Sequence, residues 1–292
     1  MFGALVSSLR PHQWTKNLFV AAPLLFAKHL TNLPLLGRSL LAVFAFCLLS
    51  GAVYLINDLF DLEHDRAHPI KRLRPMASGR LPLPVAQTAA ALLILASLGL
   101  TALLGLPCFA CAAGYLIVNL AYSLHLKHMP FVDVLSIAAG FLLRVLAGAV
   151  ALAVVASPWL LICTFVLACL LGFGKRAHEL ANAGDTQRAR ARRPVLARYR
   201  LVSLIALLWV LAAATCVSYG LYTLSAHTRS FFGTSALVWT VPFVVLGVLR
   251  FLQLVRRHTR ADSPTDAMLG DWPFLLNGAL WGLATALIIY GL

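Results

Sequence analysis

The chain has 292 residues, of which 61% are hydrophobic and only 12% charged. Soluble domains average about half apolar and about a quarter charged residues, so this balance excludes an ordinary soluble fold and points to an integral membrane protein. The net charge of +14 comes from 24 Lys+Arg against 10 Asp+Glu. In a soluble protein it would suggest nucleic acid; here membrane topology accounts for it, and no nucleic-acid partner is expected.

A hydrocarbon core needs about 20 apolar residues per helix. In chain order nine segments qualify, near 18–36, 39–57, 85–104, 107–124, 132–155, 158–174, 202–222, 235–255 and 273–291. The first is the weakest, because Lys28 and His29 interrupt it. The basic N-terminus runs into that span with no small-residue cleavage site, so no cleavable leader is expected. The chain therefore reads as all-α, a single polytopic membrane domain over 1–292. Cys47, Cys163, Cys169 and Cys216 lie in apolar runs and read as packing residues. Cys108 and Cys111 form a C-x-x-C without the βαβ context of a redox motif.

Alternate connections face opposite sides. The N-terminus and the loops after spans 2, 4, 6 and 8 hold 20 of the 24 basic residues, leaving Lys28, Arg38 and Arg229 opposite and Arg144 within a span. The positive-inside rule puts that face in the cytoplasm, with the C-terminus outside a cell membrane. All ten acids lie on the same face: Asp58, Asp61, Glu63, Asp65, Asp133, Glu179, Asp185, Asp262, Asp266 and Asp271. Charge gathered on one face suits a site that works on a soluble, charged substrate from inside. A transporter or lipid-binding protein, the non-catalytic alternative, more often needs polar groups through the membrane's depth.

The strongest motif is Asn57-Asp58-Leu59-Phe60-Asp61-Leu62-Glu63-His64-Asp65, at the end of the second span. If the helix continues, Asp58, Asp61 and Asp65 share a face within about 60°. Three facing carboxylates repel unless a cation lies between them, and oxygen-only ligands suit Mg²⁺ shared with substrate phosphates. The bland alternative is a helix end paired with nearby arginines. Lys71, Arg72 and Arg74 follow, in a loop stiffened by Pro69 and Pro75. They are candidate phosphate clamps, since guanidinium suits bidentate phosphate contact.

These residues carry a resemblance. The Asn-Asp-x-x-Asp-x-x-x-Asp run resembles the first aspartate motif of the UbiA superfamily of intramembrane prenyltransferases. Four strings are similar to one branch, the decaprenyl-phosphate phosphoribosyltransferases: "RPHQWTKN" at 10–17, "YLINDLFDLEHDRAHPIKRLRPMASGRLP" at 54–82, "AYSLHLKHMPFVDVLSIAAGFLLRVLAGAVA" at 121–151 and "GKRAHEL" at 174–180. "RRPVLARYR" at 192–200 fits the same branch. The resemblance implies about nine helices around a central cavity. It also implies 5-phosphoribose 1-diphosphate as donor, a polyprenyl phosphate as acceptor, and Mg²⁺ on Asp58, Asp61 and Asp65 with Asn57 nearby.

Aromatic prenyltransferases of the superfamily carry a second D-x-x-x-D motif after span 6. Here Lys175-Arg176-Ala177-His178-Glu179 stands in that place, with Asp185 six residues beyond Glu179. A more cationic second site suits a donor with a 5-phosphate as well as a diphosphate, and argues against the rival activity of prenyl transfer to an aromatic ring. Lys175 and Arg176 are thus expected at the catalytic centre with Glu179 beside them; the alternative is an Arg176–Glu179 pair one turn apart. Arg10, Lys16 and Asn17 before span 1, and Tyr122 and Lys127 ending span 4, are further candidates for phosphate binding. Arg144 lies too deep for a loop charge, so a partner or a water-filled cavity is expected for it, and Asp133 lies about three turns away on the same face. Gly140 and Gly148 permit close helix packing, within one protomer or between protomers of a homo-oligomer.

Overall fold

The computed structural model describes residues 1–68, 70–183, 194–256 and 264–291. Asp185, Asp262, Arg188, Arg190, Arg192, Arg193, Arg257 and Arg260 lie outside the described residues, as does the side chain of Asp266. Among the described residues all regular structure is α-helix or 3-10 helix. Eight helical segments are long and apolar enough to cross a membrane, and they coincide with expected spans two to nine.

The expected first span, 18–36, is not one helix. After α1 (Phe2–Leu9) comes a 3-10 segment, Pro11–Val20, then the short α2 (Ala22–Phe26). Lys28 then takes a left-handed backbone, φ 60°. Pro23 and Pro34 each open a new helix, because neither can donate the amide that a continuous helix would require. Asn32 caps α3 (Leu33–Phe60) by accepting from Leu35 N at 3.2 Å. The end of the expected first span is thereby absorbed into α3, whose 28 residues rise about 42 Å.

The chain groups into two compact units: residues 1–126 with 139–156, and residues 127–138 with 157–292. The first unit holds α3, α4 (Leu62–Ala67), α5 (Leu83–Leu103), α6 (Leu106–Leu124) and most of α7 (Val132–Ala151). Its core joins Phe46, Leu49 and Val53 of α3 to Cys108, Ala112 and Tyr115 of α6 and to Ala147 and Ala151 of α7. Arg38 ties helix ends there, donating to Ala151 O at 2.7 Å and Leu104 O at 3.0 Å, where carbonyls lack intrahelical partners.

One face of α7 grips the 3-10 segment. Arg144 donates from Nε to Asn17 Oδ1 at 2.9 Å, from Nη2 to the Tyr115 hydroxyl at 2.8 Å and from Nη1 to Gly140 O at 3.2 Å. It lies against the rings of Tyr115 and Phe141. Arg144 thus has the partner expected for so deep a charge, and among the described residues its hydrogen-bond partners are neutral. One turn on, Gly148 meets the backbone of Val20 so closely that a Cβ there would fall 1.9 Å from Val20 O. Gly148 is therefore a packing residue within the chain, as is Gly140 against Tyr115.

The second unit contains α8 (Pro158–Ala181), α9 (Leu201–Leu224), α10 (Ala226–Phe232), α11 (Val241–Arg256), α12 (Pro264–Leu269) and α13 (Trp272–Tyr290). α8 packs along α9 and lies against α11 at Gly174, where a Cβ would fall 2.4 Å from the Phe251 ring. The buried Tyr219 hydroxyl accepts from Trp281 Nε1 at 3.0 Å and hydrogen-bonds Thr240 Oγ1 at 2.7 Å, joining α9, α13 and the 3-10 turn before α11.

Gly148→Ala should force α7 and the 3-10 segment apart. The expected cost is about 1–3 kcal/mol of stability, read as a lower midpoint of thermal unfolding in detergent. An unchanged midpoint would contradict the close approach.

Candidate functional site

In the first unit the aspartate motif falls where α3 gives way to α4. Asp61 stands between them, φ −90° and ψ 4°, yet the helical bonding continues through it. Asp61 N donates to Asn57 O at 3.0 Å and Asp65 N to Asp61 O at 2.8 Å. Asp58, Asp61 and Asp65 thus keep the spacing that brings them to one face. Asp58 is 3% exposed and Asp65 2%, whereas Asp61 is half-buried and accepts from Asn57 Nδ2 at 3.3 Å. Asn57 is steadied in turn by Ser123 of α6, whose hydroxyl donates to Asn57 Oδ1 at 3.2 Å.

Buried carboxylates need counter-charge, and arginines supply it. Arg74 Nη1 donates to Asp65 Oδ2 at 2.6 Å and to Asp58 Oδ1 at 3.1 Å. Arg10 Nη2 donates to Asp58 Oδ1 at 2.5 Å. Arg10 reaches it because the chain turns there through a left-handed backbone, φ 52° and ψ 62°, between α1 and the 3-10 segment. Its guanidinium also lies over the Tyr54 ring, 4.9 Å from the centroid. Pairing with arginines, one of the alternatives open in the sequence, is thus realised at Asp58 and Asp65, and it is buried rather than solvated. Among the described residues no group of three His, Cys, Asp or Glu side chains forms a ready-made metal cage. The chemistry of the donor set, carboxylate oxygens joined by the Asn57 carboxamide, nevertheless fits a hard cation.

The other candidates of this unit fall into two kinds. Lys16 is half-buried and donates to Gln13 Oε1 at 2.5 Å. Lys71 and Tyr122 are half-buried and Arg72 exposed, so each can meet a ligand. Asn17 is the opposite case. It is 0% exposed, and its carboxamide is taken up by Arg144, Ser50 at 3.1 Å and Cys47 at 3.3 Å. Its place is in the packing of the 3-10 segment.

In the second unit the end of α8 forms a closed network. Arg176 is 1% exposed and donates from Nε to Asp133 Oδ2 at 2.6 Å and from Nη1 to Glu179 Oε2 at 2.8 Å. The Tyr199 hydroxyl donates to Asp133 Oδ1 at 2.8 Å and accepts from Phe131 N at 2.5 Å. Burial pushes the Tyr199 phenol well above its ordinary value; the Phe131 amide opposes that rise and the Asp133 carboxylate adds to it. The one-turn Arg176–Glu179 pair, the alternative to a catalytic place for Arg176, is present, and Asp133 bonds Arg176. Lys175, next in the chain, is half-buried, as is Lys127. His178 is 2% exposed and bonds Val255 O at 3.1 Å and Asn182 at 2.9 Å, fastening α8 to α11.

The sequence offers Arg10 as a phosphate ligand rather than as the partner of Asp58, sets Asp133 only on the face of Arg144, and does not single out Tyr199. Each is joined to its partner across 48, 43 and 66 residues of chain. Arg10 and Tyr199 do lie in the strings 10–17 and 192–200, which was the available signal.

Comparison with known proteins bears on the family and the fold. A family model, the UbiA prenyltransferase family, matches residues 17–290. The chain is 33% identical to the decaprenyl-phosphate phosphoribosyltransferase of Corynebacterium glutamicum, covering 98% of this chain and 86% of that one. It is 35% identical to the protein of the same name from Mycolicibacterium smegmatis, covering 82% and 80%. Its fold is similar to that of a UbiA homolog from Archaeoglobus fulgidus bound to DMAPP and Mg²⁺, with a TM-score of 0.70 at 18% identity, covering 99% of each chain.

Two outcomes follow from the second unit. Asp133→Asn should cost about 3–5 kcal/mol, because it leaves a buried guanidinium short of charge; equilibrium unfolding in detergent measures it. Tyr199 has a raised phenol, so its contribution is full below the ordinary value of 10.0 and falls as pH rises above it, where the unfolded chain ionises first. The stability gap between the wild type and Tyr199→Phe should therefore narrow above pH 10. A gap constant with pH would exclude that coupling.

Proposed function

The chain belongs to the UbiA prenyltransferase family, as an integral membrane transferase, and we propose that it moves 5-phosphoribose from 5-phosphoribose 1-diphosphate to a polyprenyl phosphate of the decaprenyl kind. Diphosphate is released, Mg²⁺ is the cofactor, and the site works at the cytoplasmic face of the cell membrane with the C-terminus outside. The observation that carries this reading is the cluster in which Arg74 joins buried Asp58 to buried Asp65 with Arg10 alongside. It supports the reading by gathering carboxylates that suit a cation and guanidiniums that suit phosphate in one hydrogen-bonded group. The names of the relatives that match nearly the whole chain support the donor and acceptor. The α8 end supports it too, since Glu179 is held by Arg176 where an aromatic prenyltransferase would hold a second metal.

Asp58, Asp61 and Asp65, with Asn57, are the residues that would hold Mg²⁺. Bound there, the ion would neutralise charge on the diphosphate leaving group. On the first unit Arg74, Lys71 and Arg72 supply the phosphate contacts, with Lys16 and Tyr122 as further ligands; the second unit's own candidates for phosphate are Lys175 and Lys127. Arg176, committed to Asp133 and Glu179, positions the end of α8 that carries Lys175. The bond from the ribose C1 to the diphosphate oxygen breaks, and the oxygen leaves with the electron pair. A new bond forms from C1 to an oxygen of the acceptor phosphate. That oxygen is already anionic, so no strong general base is needed, and positioning and electrostatics supply most of the acceleration.

Purified protein with labelled 5-phosphoribose 1-diphosphate, Mg²⁺ and polyprenyl phosphate should yield labelled lipid, while prenyl diphosphate with an aromatic acid should yield no product. Asp61→Asn should lower turnover by 100-fold or more, on the order expected for losing a ligand to a catalytic metal. Wild-type turnover in that variant would remove Asp61 from the site.

A further inference from the structure

A single nitrogen, Arg74 Nη1, lies 3.1 Å from Asp58 Oδ1 and 2.6 Å from Asp65 Oδ2. A divalent ion held by this motif would neutralise those carboxylates, and here a guanidinium does so. Arg10 adds a second positive charge on the same Asp58 oxygen, so two carboxylates are balanced by two guanidiniums. The carboxylates are almost wholly buried, but the side chains of Arg74 and Arg10 are 28% and 23% exposed. Arg74 sits in extended backbone, φ −60° and ψ 147°, just after a 3-10 turn at Lys71–Leu73, outside any long helix. Its guanidinium can leave by side-chain rotation without unwinding one.

We propose that Arg74, seconded by Arg10, is a stand-in cation that keeps Asp58 and Asp65 together until a divalent ion and a diphosphate arrive together. This rests on the reading of the motif as a cation and diphosphate site, and adds a rule about how the two ligands bind. Taken alone, a divalent ion displaces the guanidiniums and leaves them without a counter-charge, beside a second cation. Taken alone, a diphosphate draws Arg74 away and leaves two carboxylates facing each other and an anion. Bound together, the carboxylates receive the ion, the guanidiniums receive the diphosphate, and every charge is paired. The two affinities are therefore coupled, and linkage makes the coupling reciprocal. Arg74 touches both carboxylates and carries most of it; Arg10 touches one.

The test uses the full-length protein in detergent, with Mn²⁺ as the probe ion followed by electron spin resonance and inorganic diphosphate as the anion. In the wild type Mn²⁺ alone should bind weakly, and diphosphate should tighten it at least tenfold after correction for the Mn²⁺–diphosphate complex in solution. Arg74→Met should bind Mn²⁺ alone at least tenfold more tightly than the wild type, and diphosphate should add little. Arg10→Gln should shift both values the same way by a smaller factor, and it serves in place of Arg74→Met if that variant fails to give the wild-type helical circular dichroism. Mn²⁺ affinity in a folded Arg74→Met or Arg10→Gln that equals or falls below the wild-type value would overturn the exchange. A different result marks failure of the underlying reading: Mn²⁺ binding that is absent even with diphosphate, or is unaltered by Asp58→Asn.

Discussion

Asp58 lies at the end of the longest helix with 3% of its surface exposed, and a carboxylate so placed has to be given positive charge by the chain around it. Much of the first unit follows from that demand. Arg10 comes from 48 residues earlier and Arg74 from 16 later, so two separate segments must be brought to one point. The left-handed turn at Arg10 aims one guanidinium. The 3-10 segment behind it is fixed to α7 through Asn17 and the Gly148 contact. Asp65 is delivered by the near-continuous helix through Asp61. The anchors that look purely architectural are thus what hold the charges in register.

The second unit meets the same demand and answers it differently. Asp133 is shared by Arg176 and Tyr199, and Arg176 is completed by Glu179. There the guanidinium is 1% exposed, against 28% for the Arg74 side chain. An ion pair shut away on all sides gains nothing by parting, since either charge left alone in the interior is costly. An ion pair with one partner open to water can exchange it. By that contrast the Arg176 network is a closed strut, whereas the Arg74 cluster keeps one side open to water, although arginine–aspartate pairs lie at the centre of both.

Spans two to nine were legible in the apolar runs because length and hydropathy alone define a helix that crosses a bilayer. The first span misled because hydropathy ignores the backbone: Pro23 and Pro34 start new helices inside it. The aspartate trio was legible because its partners are three and four residues apart, within the helical repeat. The pairing of Arg10 with Asp58 and of Tyr199 with Asp133 was not, since these partners lie 48 and 66 residues apart. Asn17 looked like a ligand residue by adjacency to Lys16, but neighbours on a helical turn point in different directions, and Asn17 turns into the core. Asp133 and Arg144 share a face, yet eleven residues of helix separate them by about 16 Å, too far for a pair.

Arg144 remains a fixed positive charge inside the apolar body of the first unit, satisfied by a carboxamide, a phenol, a carbonyl and two aromatic rings. Hydrogen bonds of that kind meet its donors without cancelling its field. In surroundings of low dielectric, such a field raises the energy of any other cation that comes close. The residue that fastens the 3-10 segment to α7 therefore also sets an uncancelled positive field inside the first unit.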